Sequence, residues 1–328
     1  MKSTRSILDG SATRQGAAHQ FFVLGVHRSG TSVLAESAIR LGLYGGATEE
    51  LDGADEWNAN GYWEHRAVRA LDEELLFAVE TDWFGGLAFD PAKLPEERRP
   101  ELDARATAIV ESLDRHAPWV VKDPRMCVVL PYWRPLLTAP AFLVSLRHPV
   151  AVARSLRSRD GFPIQVGIAM WETQLLAALE ASKGAPRAAF WYEDLVARPE
   201  EETERLAAWL REATAGVAGA TTATAAVDTR LLHYSSDPVE DGELLPRGAR
   251  RLLDALRSSE AFADGFDTTA SEDARALVAF VDEKERLRRF LENGWRRQQA
   301  AHRASIEGYE SMLRARDEQL AEAKEQRR

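Results

Sequence analysis

The chain has 328 residues, which is long for a single domain, and this length predicts either one large domain with an appendage or two domains. Its formal net charge of −10 argues against general nucleic-acid binding, which needs a broad excess of Lys and Arg. Cys127 is the single cysteine, which excludes an internal disulfide and a cysteine-based metal cluster and favours a buried thiol in a reducing, cytoplasmic protein.

In chain order, residues 1–20 are polar and lack the apolar run of a secretory signal, so we expect a flexible tail. Short apolar runs at 21–26, 118–122, 141–146 and 188–192 are typical of buried parallel strands, and helix-like sequence follows each of them. This alternation predicts an α/β fold, a three-layer doubly wound parallel sheet in residues 21–268.

Several helix boundaries are also predicted. A first helix should run from about Gly30 to Leu41, and Pro149 and Pro199 are placed to begin two others. Residues 215–226 are small and typical of a surface loop. Thr269 with Glu272 predicts a capping box for a long charged C-terminal helix over 269–328.

The long helix carries a partial apolar stripe, which indicates either a coiled-coil contact, with a possible homo-oligomer or partner, or a solvated charged helix. The stripe is Leu287, Leu291, Trp295, Ile306, Tyr309, Leu313 and Leu320. No segment of the chain approaches eighteen consecutive apolar residues, so no transmembrane segment is predicted.

The stretch Gly25 to Ser32 has the glycine spacing of a phosphate-binding loop, but Thr31 stands where such loops carry lysine. The cation is instead Arg28, inside the loop. The strand at 141–146 ends in Arg147 and His148, where a magnesium site would need a carboxylate. These residues predict a P-loop-like site for an anionic nucleotide without a metal; the alternative is a tight strand-to-helix turn whose glycines only permit packing.

Four segments together resemble PAPS-dependent sulfotransferases, of the bacterial carbohydrate or natural-product type. VLGVHRSGTS is similar to the loop that binds the 5′-phosphosulfate, and LVSLRHPVAVARSL to the segment whose arginine and serine, here Arg147 and Ser155, grip the 3′-phosphate. WVVKDPRMCVVLPYW resembles the strand whose lysine, here Lys122, contacts the bridging region. FWYEDLVARPEEETERLAAWL is similar to a core strand and helix. The resemblance spans about 21–262.

The resemblance implies transfer of a sulfuryl group from PAPS to a hydroxyl of a carbohydrate, glycolipid or natural product, with PAP as the other product. Arg28 and the amides of Ser29, Gly30, Thr31 and Ser32 would cradle the 5′-phosphosulfate. Lys122 would neutralise charge between the donor and the leaving group. No metal is implied. A P-loop small-molecule kinase and a non-catalytic interaction protein that uses the terminal helix are the alternatives.

The catalytic base has to come from another position, because Pro124 stands two residues after Lys122, where the cytosolic sulfotransferases carry their catalytic histidine. Some carbohydrate and tyrosyl-protein sulfotransferases use a glutamate after the first helix, which points to Glu64; Glu49 and Glu50 remain open, and His27 and His65 are alternatives. Arg125 is expected to hold the acceptor or a neighbouring carboxylate. The family's C-terminal R-K-G signature has only Arg247–Gly248 or Arg250–Arg251 as candidates.

Aromatic and amide side chains between 57 and 84 are expected to roof the site, stack on a sugar or adenine, or belong to the core. They are Trp57, Tyr62, Trp63, Trp83 and Phe84, with Asn58 and Asn60, whose amides suit a hydroxyl-rich acceptor.

Overall fold

A computed structural model describes residues 19–53, 61–85, 89–215, 245–292 and Glu307. Four strands occur in this part of the chain, and each falls on one of the predicted apolar runs. They are β1 (Gln20–Leu24), β2 (Trp119–Lys122), β3 (Pro140–Leu146) and β4 (Arg187–Trp191).

The four strands form one parallel sheet in the order β2-β1-β3-β4. Val23 is in register with Lys122, and Leu24 with Val144. All four carboxyl ends therefore lie at one edge. The predicted α/β class and parallel sheet are confirmed.

Helices fill the connections between the strands and follow the last of them. They are α1 (Thr31–Arg40), α2 (Arg66–Ala78), α3 (Arg99–Asp114), α4 (Met126–Trp133), α5 (Pro149–Asp160), α6 (Ile164–Ala181), α7 (Tyr192–Ala197), α8 (Pro199–Ala213) and α9 (Arg247–Ser258), with short 3-10 turns at Thr48–Glu50, Pro91–Lys93, Arg134–Leu136 and Glu260–Phe262. A further helix covers 272–292.

The sheet is buried on both faces, as a doubly wound arrangement requires. Side chains alternate along β1: Phe21 and Val23 pack with α1 and α8, whereas Phe22 and Leu24 pack on the other side with α2, α3 and α4. Two apolar layers thus hold the sheet between helices, and they fix the position of its carboxyl edge.

The helix boundaries follow local sequence signals in most places. α1 begins one residue after Gly30, and α5 and α8 begin at Pro149 and Pro199 as predicted. Proline is favoured there because the first helical residue needs no amide donor.

The predicted capping box at Thr269 is wrong. The Thr269 amide donates to Asp267 Oδ1 at 2.9 Å, while Ser271, directly before the helix, accepts a hydrogen bond from the Ala274 amide through its Oγ at 3.3 Å. Ser271 is therefore the N-cap, because its hydroxyl lies within reach of the third amide of the helix.

The chain divides into two compact units, 1–281 and 282–328. Three predicted features lie outside the described residues: the tail up to residue 18, most of the loop at 215–226, and the apolar stripe from Trp295 onward. No described helix is both long enough and apolar enough to cross a membrane.

Candidate active site

The chemistry-bearing residues predicted from the sequence follow neighbouring strands. The loop 25–30 follows β1, Lys122 ends β2 and Arg147 follows β3. The carboxyl edge of an open parallel sheet is where such folds bind ligands. The fold therefore brings the candidate residues to one place.

Two glycines allow the loop to pack closely. A Cβ at Gly25 would lie 2.7 Å from the Ser145 carbonyl oxygen. Gly30 has a φ of 91°, and a Cβ there would lie 2.4 Å from the Tyr192 ring. Since a side chain at either position would collide with its neighbours, both glycines are required by packing.

The loop is held by its carbonyl groups. Arg147 Nη1 donates to the Arg28 carbonyl at 2.9 Å, and Ser145 Oγ donates to the Ser29 carbonyl at 2.9 Å. The Ser29 amide donates to the Val26 carbonyl at 3.0 Å, so this amide is engaged inside the turn. These contacts set the orientation of the peptide groups before α1.

The loop leads into the N-terminus of α1. Gly30 is its N-cap and no side chain caps it, and Thr31 and Ser32 form the first turn. The first amides of a helix lack carbonyl partners within the helix and carry partial positive charge. Ser32 Oγ also lies 3.4 Å from the Tyr62 carbonyl, which joins this turn to the segment before Glu64. The geometry suits an anion.

Arg28, Arg147 and Ser155 meet around this loop, although Ser155 bonds to Arg28 and not to the arginine that the motif pairs it with. Arg28 Nε donates to Ser155 Oγ at 2.9 Å. Burial lowers the pKa of Arg28, and the positive charges of Arg159 and Arg147 lower it further. Burial also lowers the pKa of Arg147, which lies 4.5 Å above the Tyr192 ring. Guanidinium groups that repel one another favour a bound anion.

Glu64 and Lys122 form a buried ion pair. Lys122 Nζ donates to Glu64 Oε1 at 2.6 Å, and the two side chains are only 2% and 7% exposed. Burial raises the pKa of Glu64, although the Lys122 charge opposes this shift. A carboxylate with a raised pKa is a stronger base than one in water, which suits proton removal.

Arg125 holds neighbouring carboxylates, one of its two expected roles. Its Nη1 lies 3.0 Å from Asp123 Oδ1 and 3.6 Å from Glu64 Oε2, and its Nη2 donates to Glu73 Oε1 at 2.8 Å. In the described part of the chain, no three His, Cys, Asp or Glu side chains are grouped to hold a metal ion.

The other candidate carboxylates have local partners. Glu50 Oε2 accepts hydrogen bonds from the Ala47 amide at 2.9 Å and from the Tyr44 hydroxyl at 3.3 Å. Glu49 is exposed in the same 3-10 turn. The Lys122 contact therefore distinguishes Glu64 from both.

The two histidines are buried and neutral at physiological pH. Burial lowers the pKa of His65, whose Nε2 lies 3.8 Å from Glu50 Oε2. His27 packs on Trp83 at 4.3 Å between ring centroids. Its pKa is lowered well below the ordinary value by burial first and then by the charges of Arg159, Arg125, Lys122 and Arg28. His27 thus lies among the site's cations.

The aromatic residues predicted to cover the site do not form one cluster in the structure. The Tyr62 ring lies 5.8 Å from Lys122 Nζ, and Trp83 lies 5.8 Å from Phe162 between ring centroids. Trp63 packs against the core between the sheet and α1, and Phe84 is buried. Trp57, Asn58 and Asn60 lie outside the described residues.

The two C-terminal candidates for the missing signature have partners of their own. A Cβ at Gly248 would lie 2.4 Å from Glu172 Oε1, so the segment at Arg247 packs against that carboxylate. Arg251 Nη1 lies 3.2 Å from Asp267 Oδ2.

Sequence reasoning missed Arg159 and Asp72. Arg159 lies 5.6 Å from the Trp83 ring and influences both Arg28 and His27. The basic run RSLRSR at 154–159 in α5 was the available signal. Asp72 lies within α2 on the face that carries Val68, Leu71, Leu75 and Leu76, so its position on this apolar face was the available signal.

Searches against protein-family models and against curated proteins find no match. Three solved structures with similar folds are sulfotransferases by name. The sulfotransferase domain of the Synechococcus PCC 7002 olefin synthase is 16% identical, with 83% of this chain and 97% of that chain covered and a TM-score of 0.37. The sulfotransferase domain of the curacin biosynthetic pathway is 14% identical, with 82% of this chain and 98% of that chain covered and a TM-score of 0.38.

The third similar structure is sulfotransferase STF9 of Mycobacterium avium, at 16% identity, with 60% of this chain and 64% of that chain covered and a TM-score of 0.32.

Proposed function

We propose that this protein is a sulfotransferase that moves the sulfuryl group of PAPS to a hydroxyl of a carbohydrate, glycolipid or natural product. The observation that carries the proposal is the buried contact of 2.6 Å between Lys122 and Glu64 at the same sheet edge as the arginine-bearing loop. A base and a cation next to an anion site meet the demands of group transfer to a hydroxyl.

The donor would be held by positive charge without a divalent ion. The N-terminus of α1 and the half-buried Arg28 suit the 5′-phosphosulfate, with Gly30, Thr31 and Ser32 providing the first turn. Arg147 and Ser155, joined through Arg28, suit the 3′-phosphate. The pKa of Arg28, lowered by burial and then by the charges of Arg159 and Arg147, supports this assignment, since a bound dianion would relieve the repulsion.

In the proposed reaction, the acceptor hydroxyl oxygen forms a bond to sulfur while the bond from sulfur to the bridging phosphate oxygen breaks. Glu64 takes the hydroxyl proton, and the electron pair of the broken bond remains on the phosphate of PAP. Lys122 would neutralise the charge that develops between donor and leaving group. The reaction needs no covalent enzyme intermediate.

A second, compatible proposal concerns association through the terminal helix. Leu287, Phe290 and Leu291 are 56%, 74% and 60% exposed on the helix over 272–292. Exposed apolar side chains at this spacing favour a helical partner or a second copy of the chain.

We assign the protein to the cytoplasm, because the buried Cys127 thiol needs no oxidising compartment.

A thermal-shift titration tests the proposed function against its alternatives. PAP in EDTA should raise the melting temperature if the protein is a PAPS-dependent sulfotransferase. Stabilisation only by ATP with magnesium would identify a kinase, and stabilisation by neither ligand would favour an interaction protein. Mass spectrometry of products formed from labelled PAPS and a cell extract would then identify the acceptor.

A further inference from the structure

Asp72 is buried next to the candidate site and has one oxygen without a donor. The residue is 0% exposed on α2, and its Oδ1 accepts a hydrogen bond from Trp133 Nε1 at 2.7 Å. Within the described part of the chain, its Oδ2 has no hydrogen-bond partner, and the same holds for Oδ2 of Asp123, which is 1% exposed. Two buried carboxyl oxygens therefore need a donor.

The two aspartates supply a donor to each other if they share one proton. The two carboxyl groups are neighbours, since Asp123 raises the pKa of Asp72 both by its charge and as a side-chain hydrogen-bond partner. Burial and the neighbouring charge of Asp123 both disfavour an ionised Asp72. One proton between the two Oδ2 atoms satisfies both oxygens and removes the repulsion.

The charges around the pair also balance with one proton. The buried cluster contains two cations, Lys122 and Arg125, and three carboxyl groups, Glu64, Asp123 and Asp72. With Asp72 neutral, two negative charges face two positive charges. The remaining carboxylate at Arg125 is Glu73, whose side chain is 46% exposed and is solvated.

We propose that Asp72 is a positioning residue: its protonated carboxyl donates from Oδ2 to Asp123, which in turn holds Arg125 beside the Glu64–Lys122 pair. Asp123 accepts from the Arg125 amide at 2.8 Å and from Nη1 at 3.0 Å through its other oxygen. The kinetic part of this inference rests on the proposed role of Glu64 as the base. An ionised Asp72 would instead compete with Glu64 for the buried cations.

The surroundings of Asp72 support the protonated form. Burial raises its pKa well above the ordinary value, and the charge of Asp123 raises it further, while Trp133 and Arg125 oppose the shift. Arg98, at the N-cap of α3, and Arg105, within it, both pair with Glu74. Asp123 and Arg125 are the charged groups on other elements that act on Asp72.

Two substitutions separate a protonated Asp72 from an ionised one. Asp72→Asn retains a donor for Asp123 and an acceptor for Trp133, whereas Asp72→Ala removes both. We expect Asp72→Ala to lower the rate of sulfuryl transfer on the order of tenfold to a hundredfold through misplacement of Glu64, and Asp72→Asn to restore most of that loss. An Asn variant as impaired as the Ala variant would overturn the proposal.

Two further measurements do not depend on the reaction. At neutral pH, the infrared spectrum of the wild type minus that of Asp72→Asn should contain the carbonyl band of a buried carboxylic acid. The urea midpoint of the wild type should also fall relative to that of Asp72→Asn from about pH 5 to about pH 8, because a raised folded-state pKa gives stability that is lost as the pH rises.

The absence of the infrared band, together with parallel urea midpoints, would overturn the shared proton. If these two measurements give the expected results but PAPS is not a substrate, the proposed function fails while the protonated Asp72 stands. If PAPS is a substrate but the band is absent and the urea midpoints are parallel, the proposed function stands and the protonated Asp72 fails.

Discussion

Lys122 Nζ lies 2.6 Å from Glu64 Oε1, and this pair joins the end of β2 to the residue before the N-cap of α2. Both side chains are nearly buried, so each is the main partner of the other's charge. In the proposed reaction, Glu64 takes the proton of the acceptor hydroxyl, and Lys122 neutralises the charge that develops between donor and leaving group. Their ion pair therefore places a base and a cation before any donor or acceptor binds.

Glu64→Gln should keep PAP binding and lose turnover. The amide cannot take the acceptor proton, and removal of a general base costs roughly a hundredfold to ten-thousandfold in rate. The measurement is kcat with PAPS and an identified acceptor, beside the dissociation constant of PAP. Because removal of one partner of a buried pair costs about 3 to 5 kcal/mol of stability, both values are measured well below the melting temperature of the variant.

Glu73→Gln is the matched control for this experiment, since Glu73 also pairs with Arg125, at 2.8 Å, but is half exposed. It should retain most of the wild-type turnover. If Glu64→Gln keeps full activity while Glu50→Gln does not, the assignment of the base is wrong.

The rate of transfer should depend on the ionisation of Glu64. Only the carboxylate accepts a proton, and burial raises the Glu64 pKa above its ordinary value of 4.5. We therefore expect kcat/KM to fall as the pH decreases through a midpoint above 4.5. A pH–rate profile measures the midpoint, and an acidic limb that persists unchanged in the residual activity of Glu64→Gln would contradict this origin.

Arg28→Ala should weaken the binding of PAP and reduce the stabilisation that it gives. The guanidinium is fixed by Ser155 at 2.9 Å and borders the loop that would receive the phosphosulfate. A hydrogen bond to a charged group contributes about 1.5 to 3 kcal/mol, so PAP affinity should decrease roughly tenfold to more than a hundredfold. Calorimetry with PAP provides the measurement.

Arg40→Ala removes an equal charge at the far end of α1, where Arg40 pairs with Glu36. This control should bind PAP like the wild type. Equal losses in the two variants would mean that net charge, and not the position of Arg28, governs binding.

Gly30→Ala should destabilise the fold more than Gly184→Ala. Both glycines have positive φ, 91° and 72°, but a Cβ at Gly30 would lie 2.4 Å from Tyr192, whereas at Gly184 nothing lies within 4 Å. The left-handed conformation costs roughly 1 to 2 kcal/mol in either variant. The excess loss at Gly30 measures the contact with Tyr192.

Urea unfolding of Gly30→Ala and Gly184→Ala measures the difference between their free energies of unfolding. Equal free energies of unfolding would show that the loop can move away from Tyr192 without cost.

The strands and the site edge were predictable from local sequence. Each strand is a short apolar run, and residues that end parallel strands share an edge, so Lys122 and Arg147 had to lie near the loop. Pro149 and Pro199 indicated helix starts because proline is favoured at the first helical position, a preference that depends only on the residue itself.

Contacts between residues far apart in the sequence were harder to predict. Ser155 bonds to Arg28 across 127 positions, and Asp72 reaches Trp133 across 61. Such pairs are set by how helices pack on the sheet, which periodicity does not specify. The cap of the last helix was missed for a smaller reason, because Ser271 lies two residues beyond Thr269 and both are good capping residues.

Calorimetry of the full chain with PAP in excess EDTA tests the central claim, that guanidinium groups and a helix N-terminus bind this nucleotide without a divalent ion. The account predicts saturable heat at one site per chain, unchanged when magnesium is added, with an affinity that is roughly tenfold to more than a hundredfold lower in Arg28→Ala. No heat with PAP, or heat that appears only with magnesium, would contradict it.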